Sequence, residues 1–304
     1  MRRAVASSGA GIAPPPGPAR PDSVPRRPPL WEERAANHLF MALSPRLQRG
    51  KPQEPPAQLE PFTRFEIERS RARGRLAATW YPAAGEARGA VLLVPPWVPQ
   101  GQAYFHRRGR IEALRAAGYH SLSFDLGGMG SSGPRPPGFY DADLEDALNA
   151  LAMRAHGLPL HLWGVSAGGY WSHLLLSRRD GVSGAVFEDV ACHLVRWARR
   201  MAPRGLPGYL VFQYGFRRAY RYLDLRHHAP RLRLRAAAYV GGARDRGARA
   251  EETRELARRA GAELLLVPGA GHLEAIKRAG DAVVGLALAT LERAERGDGL
   301  RGSS

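Results

Sequence analysis

The 304-residue chain has a single cysteine, Cys192, and only two lysines, Lys51 and Lys277. One thiol excludes an intrachain disulfide framework and any cysteine-based zinc site, and it points to a reducing compartment. No apolar run approaches the ~20 residues that span a bilayer. Arg2 and Arg3 are followed by Pro14, Pro15, Pro16 and Pro18 rather than by a continuous apolar stretch, which argues against a secretory signal. The expectation is a cytoplasmic protein without a transmembrane segment. The formal net charge of +17 is almost all arginine, spread along the chain instead of massed in one tract, and no RNA- or DNA-binding signature accompanies it. It is read as compositional bias on a solvated surface, with no specific nucleic-acid partner.

With 44% hydrophobic residues over this length, the chain can bury one large core. Residues 1–61 read as a Pro/Arg-rich N-terminal extension, largely disordered, within which Trp31–Leu43 has the spacing of a short amphipathic helix. Residues 62–297 form the expected compact domain and 298–304 a flexible tail. Thr63–Arg69 and Leu76–Tyr81 read as an opening hairpin. Strands are then expected at Ala90–Val94, Tyr119–Phe124, Leu158–Trp163, Ser183–Phe187, Ala236–Val240 and Glu263–Val267. Helices are expected at Phe105–Ala117, Asp141–Ala155, Ala167–Ser177, about 250–259 and about 273–296, the last broken near Gly280. Alternation of this kind predicts an α/β fold, a doubly wound and mostly parallel sheet. About 190–234 breaks the rhythm with some forty-five residues rich in aromatics and arginine, too long for a structureless loop, and reads as a small helical cap.

Gly164-Val-Ser-Ala-Gly168 lies between an expected strand and an expected helix. In that context Gly-x-Ser-x-Gly makes a turn sharp enough to need Gly164 and Gly168, and it exposes the hydroxyl of Ser166 above the sheet. The plain alternative is a glycine-rich turn with no task. A serine nucleophile needs a base, and the base needs a carboxylate. His272, in the loop after the last strand, is the candidate base, with His227 and His228 in the cap as weaker ones. Asp245, in the loop after Ala236–Val240, is the candidate acid. Its competing reading is a loop aspartate paired with Arg244 or Arg246, and Asp189 is the fallback acid.

With these residues in this order the chain resembles the α/β-hydrolase family from about Phe62 to Leu291. The resemblance implies that Ser166 is the nucleophile, Asp245 the acid and His272 the base, and that the insertion occupies the cap position. Asp125-Leu-Gly-Gly-Met-Gly-Ser-Ser matches the family's Asp-x-x-Gly-x-Gly-x-Ser turn. Two N–H donors are implied for the oxyanion: Ala167, following the nucleophile, and one from the loop after Ala90–Val94. The family commonly has His-Gly there and this chain has Pro95-Pro96, neither of which can donate, so alignment and elimination select Trp97. The Trp97 side chain has two open readings, acyl-pocket lining or packing beneath the cap. Pro-Pro-aromatic at this point resembles a subset of bacterial hydrolases linked to exopolysaccharide export.

The expected activity is that of a serine hydrolase, carboxylesterase- or thioesterase-like, cleaving an acyl bond of a small-molecule substrate through an acyl-enzyme, with no cofactor and no metal. An acyltransferase on the same triad and a decayed hydrolase-fold binding protein are the alternatives. The cap arginines Arg196, Arg199, Arg200, Arg217, Arg218 and Arg221 raise the further possibility of an anionic acyl substrate, against the reading that they follow the chain's general arginine bias. Oligomeric state is not legible.

Overall fold

In the computed structural model, residues 25–43, 53–201 and 206–297 are described. The expected extended arm up to residue 24 and the tail 298–304 lie outside them. Eight strands form one sheet in the order β1-β2-β4-β3-β5-β6-β7-β8. They are β1 (Thr63–Glu68), β2 (Arg75–Tyr81), β3 (Gly89–Val94), β4 (Tyr119–Phe124), β5 (Leu160–Val165), β6 (Gly184–Glu188), β7 (Ala236–Gly242) and β8 (Glu263–Val267). β2 runs antiparallel to both β1 and β4, and every other neighbouring pair is parallel. All eight lie within two or three residues of the positions expected from the apolar runs.

The central strands are apolar on both faces because both are covered. Every residue of β3, Gly-Ala-Val-Leu-Leu-Val, is buried, as are those of β6 and β7. Successive side chains of a strand point to opposite faces, and the core divides accordingly. Leu92, Val94, Leu162 and Phe187 pack with Leu144, Leu148 and Leu151 of α3 (Asp141–Ala155), with Leu174 of α4 (Ala167–Leu176) and with Leu256 of α8 (Ala250–Ala260). Val91, Leu93, Trp163 and Val186 pack on the other side with Ile111 and Leu114 of α2 (Arg110–Ala116), Ile276 of α9 (Ala275–Arg278), and Val283, Ala287 and Leu291 of α10 (Gly280–Arg296). Each fully buried Leu or Val contributes about 1.5–3 kcal/mol relative to exposure, so it is this two-sided burial that holds the parallel strands in register.

The helix expected over Phe105–Ala117 begins only at Arg110. Arg108 and Gly109 both have φ 71°, so the chain makes a 3-10 turn over Gly101–His106, reverses through the left-handed region and restarts as α2. Among the described residues the insertion between β6 and β7 contains three α-helices, α5 (Leu194–Met201), α6 (Leu206–Gly215) and α7 (Arg217–Tyr222), followed by two short 3-10 turns. Tyr170 of α4 donates to the Leu223 carbonyl and so ties this cap to the sheet. The N-terminal helix α1 (Leu30–Leu43) docks against the cap, where Glu32 accepts from the Ala219 N–H at 2.9 Å, and against the loop before α3, where Asn37 donates to the Gly138 carbonyl at 2.8 Å.

Candidate active site

The turn from β5 into α4 places Ser166 at the carboxyl end of a central strand. Its backbone has φ 50° and ψ −116°, a conformation costing an L-residue about 1–3 kcal/mol unless the surroundings impose it. They do so by close approach. A Cβ on Gly168 would lie 2.3 Å from the Val94 carbonyl oxygen and 2.4 Å from that of Pro95, and one on Gly164 would lie 2.6 Å from the Cα of Gly169. The helix start is thus pressed onto the end of β3 and onto its own entry strand, as only glycine permits. Ser166 is further fixed by its N–H, which donates to the Glu188 carbonyl at 2.7 Å.

Three side chains from three loops meet here. Ser166 Oγ is 2.9 Å from His272 Nε2, and His272 Nδ1 is 2.7 Å from Asp245 Oδ2. Asp245 is buried, and its other oxygen accepts from the N–H groups of Gly247 at 2.7 Å and Ala248 at 3.0 Å. Among the described residues neither Arg244 nor Arg246 forms an ion pair with it. Burial lowers the pKa of His272, but the hydrogen bond and charge of Asp245, with the charges of Asp189 and Glu188, outweigh burial and hold it above 6.5.

Asp189 sits apart from the imidazole nitrogens. It accepts from the Gly242 N–H at 3.2 Å and the Leu273 N–H at 2.9 Å, bracing the end of β7 and the His272 loop against each other. Burial and the charge of Glu188 push it up to about 7. In the structure the fallback acid is therefore a brace for the loop that carries His272. His228 is also bound elsewhere, to Ser177 Oγ at 3.0 Å and the Tyr222 carbonyl at 2.8 Å.

The chain of three faces a cavity of about 120 Å³ lined by Ser166, Ala167 and His272 together with Pro96, Trp97, Val98, Tyr170, Ala191, Leu194, Trp197 and Leu273. The floor comes from the sheet ends and the roof from α5, whose Trp197 ring lies 6.4 Å from that of His272. Trp97 both lines this cavity and packs edge-on against Tyr140, ring centroids 6.0 Å apart, so the two readings of its side chain are joint.

A model of the α/β-hydrolase fold family matches residues 89–219, from the start of β3 through the elbow into the cap. The chain has the α/β-hydrolase fold. Solved structures agree: an esterase of Pyrococcus furiosus superposes with TM-score 0.67 at 19% identity, over 81% of this chain and 96% of that one. A thermostable carboxyl esterase of Bacillus coagulans gives 0.59 at 13% identity, over 77% and 99%. The enol-lactonase of Burkholderia xenovorans gives 0.57 at 19%, over 75% and 100%. No curated protein matches the sequence.

In this α/β-hydrolase-fold chain no cap arginine among the described residues lines the cavity. Arg196 donates to the Tyr220 hydroxyl, Arg199 stacks on Tyr209, and Arg200 pairs with Glu252. The cap gives the cavity apolar surface instead, through Ala191, Leu194 and Trp197. Trp197 was legible in sequence only as part of an aromatic-rich cap and Tyr170 was missed, since nothing local says which of many rings will meet the serine. Among the described residues no group of three or more His, Cys, Asp and Glu side chains could hold a metal ion, and no helix is long and apolar enough to cross a membrane.

Proposed function

We propose that the chain is a serine hydrolase that cleaves an ester, thioester or related acyl bond through an acyl-enzyme on Ser166. The observation that carries this reading is the hydrogen-bonded chain from Ser166 through His272 to Asp245 at the head of an apolar cavity. Asp245 accepts the Nδ1 proton of His272, which leaves Nε2 as the acceptor for the Ser166 hydroxyl. As Oγ attacks the carbonyl carbon, its proton passes to Nε2 and the imidazolium is held by Asp245. Collapse of the tetrahedral intermediate returns that proton to the leaving oxygen or sulfur. Water then repeats the sequence: His272 takes its proton, the hydroxide adds to the acyl carbon, and Ser166 leaves with the proton.

The oxyanion requires donors beside Ser166. Ala167 opens α4, where backbone N–H groups have no partner within the helix. In the turn after β3, Pro95 and Pro96 carry no N–H, and the first residue after them that has one is Trp97, so we assign the second donor to the N–H of Trp97. Trp97→Pro removes that donor and is expected to lower kcat by about 10² to 10³, while Trp97→Phe, which keeps it, loses far less. Equal losses in the two variants would remove Trp97 N–H from the mechanism.

Covalent labelling with a fluorophosphonate tests the whole reading. The unmodified protein should label and Ser166→Ala should not; a folded unmodified protein that resists labelling refutes a serine hydrolase.

A further inference from the structure

A second cavity, of about 280 Å³, adjoins the first across His272. Val98, His272 and Leu273 line both, whereas Ser166 lines only the first. The two differ in chemistry. The first is walled by aromatic and aliphatic side chains; the second adds Arg107, Arg108 and Lys277, all three exposed, and one carboxylate, Glu274. Glu274 is already engaged, accepting from the Gly271 N–H at 2.9 Å and lying 3.4 Å from Arg278 Nε. Among the described residues no carboxylate lies within ion-pair distance of Arg107, Arg108 or Lys277, whereas Arg110, Arg200 and Arg226 all have such partners.

The backbone that carries two of these cations is unusual. Arg108 adopts φ 71° immediately before Gly109 at φ 71°. A left-handed arginine is disfavoured where a helix could simply have continued, and such departures collect at ligand-binding segments. The reversal sets Arg107 and Arg108 on the rim beside His272 instead of on a face of α2.

The position of the groove says which part of a substrate enters it. His272 delivers the proton to the leaving atom, so the leaving group must lie on the His272 side of the scissile bond, and the acyl group then occupies the apolar cavity on the Ser166 side. We infer that the substrate joins an apolar acyl group to an alcohol or thiol bearing an anionic group, phosphate or carboxylate, and that Arg107, Arg108 and Lys277 hold this anion. The inference rests on the acyl-transfer reading of Ser166 for its orientation, and it moves the anion from the acyl side, where the cap arginines first suggested it, to the leaving-group side.

Binding to the Ser166→Ala protein tests it independently of turnover. Three non-hydrolysable amides serve as probes in calorimetry: 2-butanamidoethyl phosphate, N-butanoyl-β-alanine and the neutral 2-butanamidoethanol. At low ionic strength at least one anionic probe should bind about ten-fold or more tightly than the neutral one, with most of this advantage lost in ~0.5 M salt. Which anion binds better separates phosphate from carboxylate. Combining Arg107→Gln, Arg108→Asn and Lys277→Gln should abolish the advantage, the asparagine being chosen because it tolerates positive φ. Equal affinity for all three probes, or an advantage that survives the triple substitution, overturns the inference. Failure of fluorophosphonate labelling in the unmodified protein would instead overturn the acyl-transfer reading, so the two failures are distinct.

Discussion

Asp245→Asn is expected to lower kcat for an acyl ester by about 10³- to 10⁴-fold with little change in KM, because in the proposed mechanism Asp245 orients the base and it does not line the cavity beside Ser166. An amide at this position presents either its oxygen or its NH2 to His272 Nδ1, and it must still receive the N–H groups of Gly247 and Ala248 on an oxygen. With the oxygen so used, the NH2 faces the ring and favours the tautomer whose proton is on Nε2, where it cannot accept from Ser166. The pH profile separates this from a general loss of structure. In the proposed mechanism His272 is a base only when neutral, so activity should be present above its pKa and lost as pH falls through it. In the unmodified protein that pKa lies above 6.5, because the hydrogen bond and charge of Asp245, with Asp189 and Glu188, outweigh burial. Removing the Asp245 charge leaves burial in place and must shift the acid limb of kcat/KM to lower pH. A residual activity whose acid limb stays where it was, or moves up, would mean that Asp245 is not the partner of the base.

Eight strands were readable because each is a short apolar run bounded by turn residues, and a sheet covered on both faces imposes that pattern locally. The elbow was readable for a related reason: its glycines are demanded by backbone approaches of 2.3 to 2.6 Å, which leave a mark in the sequence itself. Ser166, Asp245 and His272 could be placed because each follows a strand and only the order along the chain had to be inferred. The start of α2 could not be placed. Ile111 and Leu114 have the i, i+3 spacing of a helix face, and Gly109 was the sole sign that the helix does not run back to Phe105. Asp189 was noticed for its place after β6, but its work, holding two N–H groups from β7 and the His272 loop, depends on three segments far apart in the chain. Arg107 and Arg108 were hidden by composition, since in so arginine-rich a chain two more carry no signal until their lack of acid partners is seen in space. The cap arginines were conspicuous in sequence, yet none among the described residues lines the cavity, and Arg196, Arg199 and Arg200 engage Tyr220, the Tyr209 ring and Glu252 instead.

Arg110→Met should destabilise the fold by about 3–5 kcal/mol, a large part of the ~5–15 kcal/mol that holds a typical domain together. Arg110 and Glu188 are both 0% exposed, and Arg110 Nη2 donates to the two Glu188 oxygens at 2.7 Å each. Glu188 also accepts from Trp163 Nε1 at 3.2 Å, while Arg110 Nε and Nη1 have no acceptor among the described residues and the guanidinium carbon stands 5.4 Å from the Trp163 ring centroid. Taking both charges out of water is costly, and an incompletely bonded pair recovers little beyond that cost. The loss on removing one partner therefore comes mainly from the carboxylate left buried without a counter-charge, not from the net worth of the pair. It follows that Arg110→Met combined with Glu188→Gln should recover roughly half or more of the loss, since the glutamine is neutral and can still accept from Trp163. Denaturant unfolding of the four members of this cycle measures it, and a cost below about 1 kcal/mol for Arg110→Met would show that Glu188 is not held in place by its cation. The single variant should also lose activity. The Glu188 carbonyl accepts from the Ser166 N–H and Asp189 follows it directly in the chain, so a shift of this carboxylate toward water carries both Ser166, the proposed nucleophile, and the brace of the His272 loop with it. The pair thus joins the core of the sheet to the geometry above it, which is why a substitution in α2, remote from the cavity, is expected to be felt at Ser166.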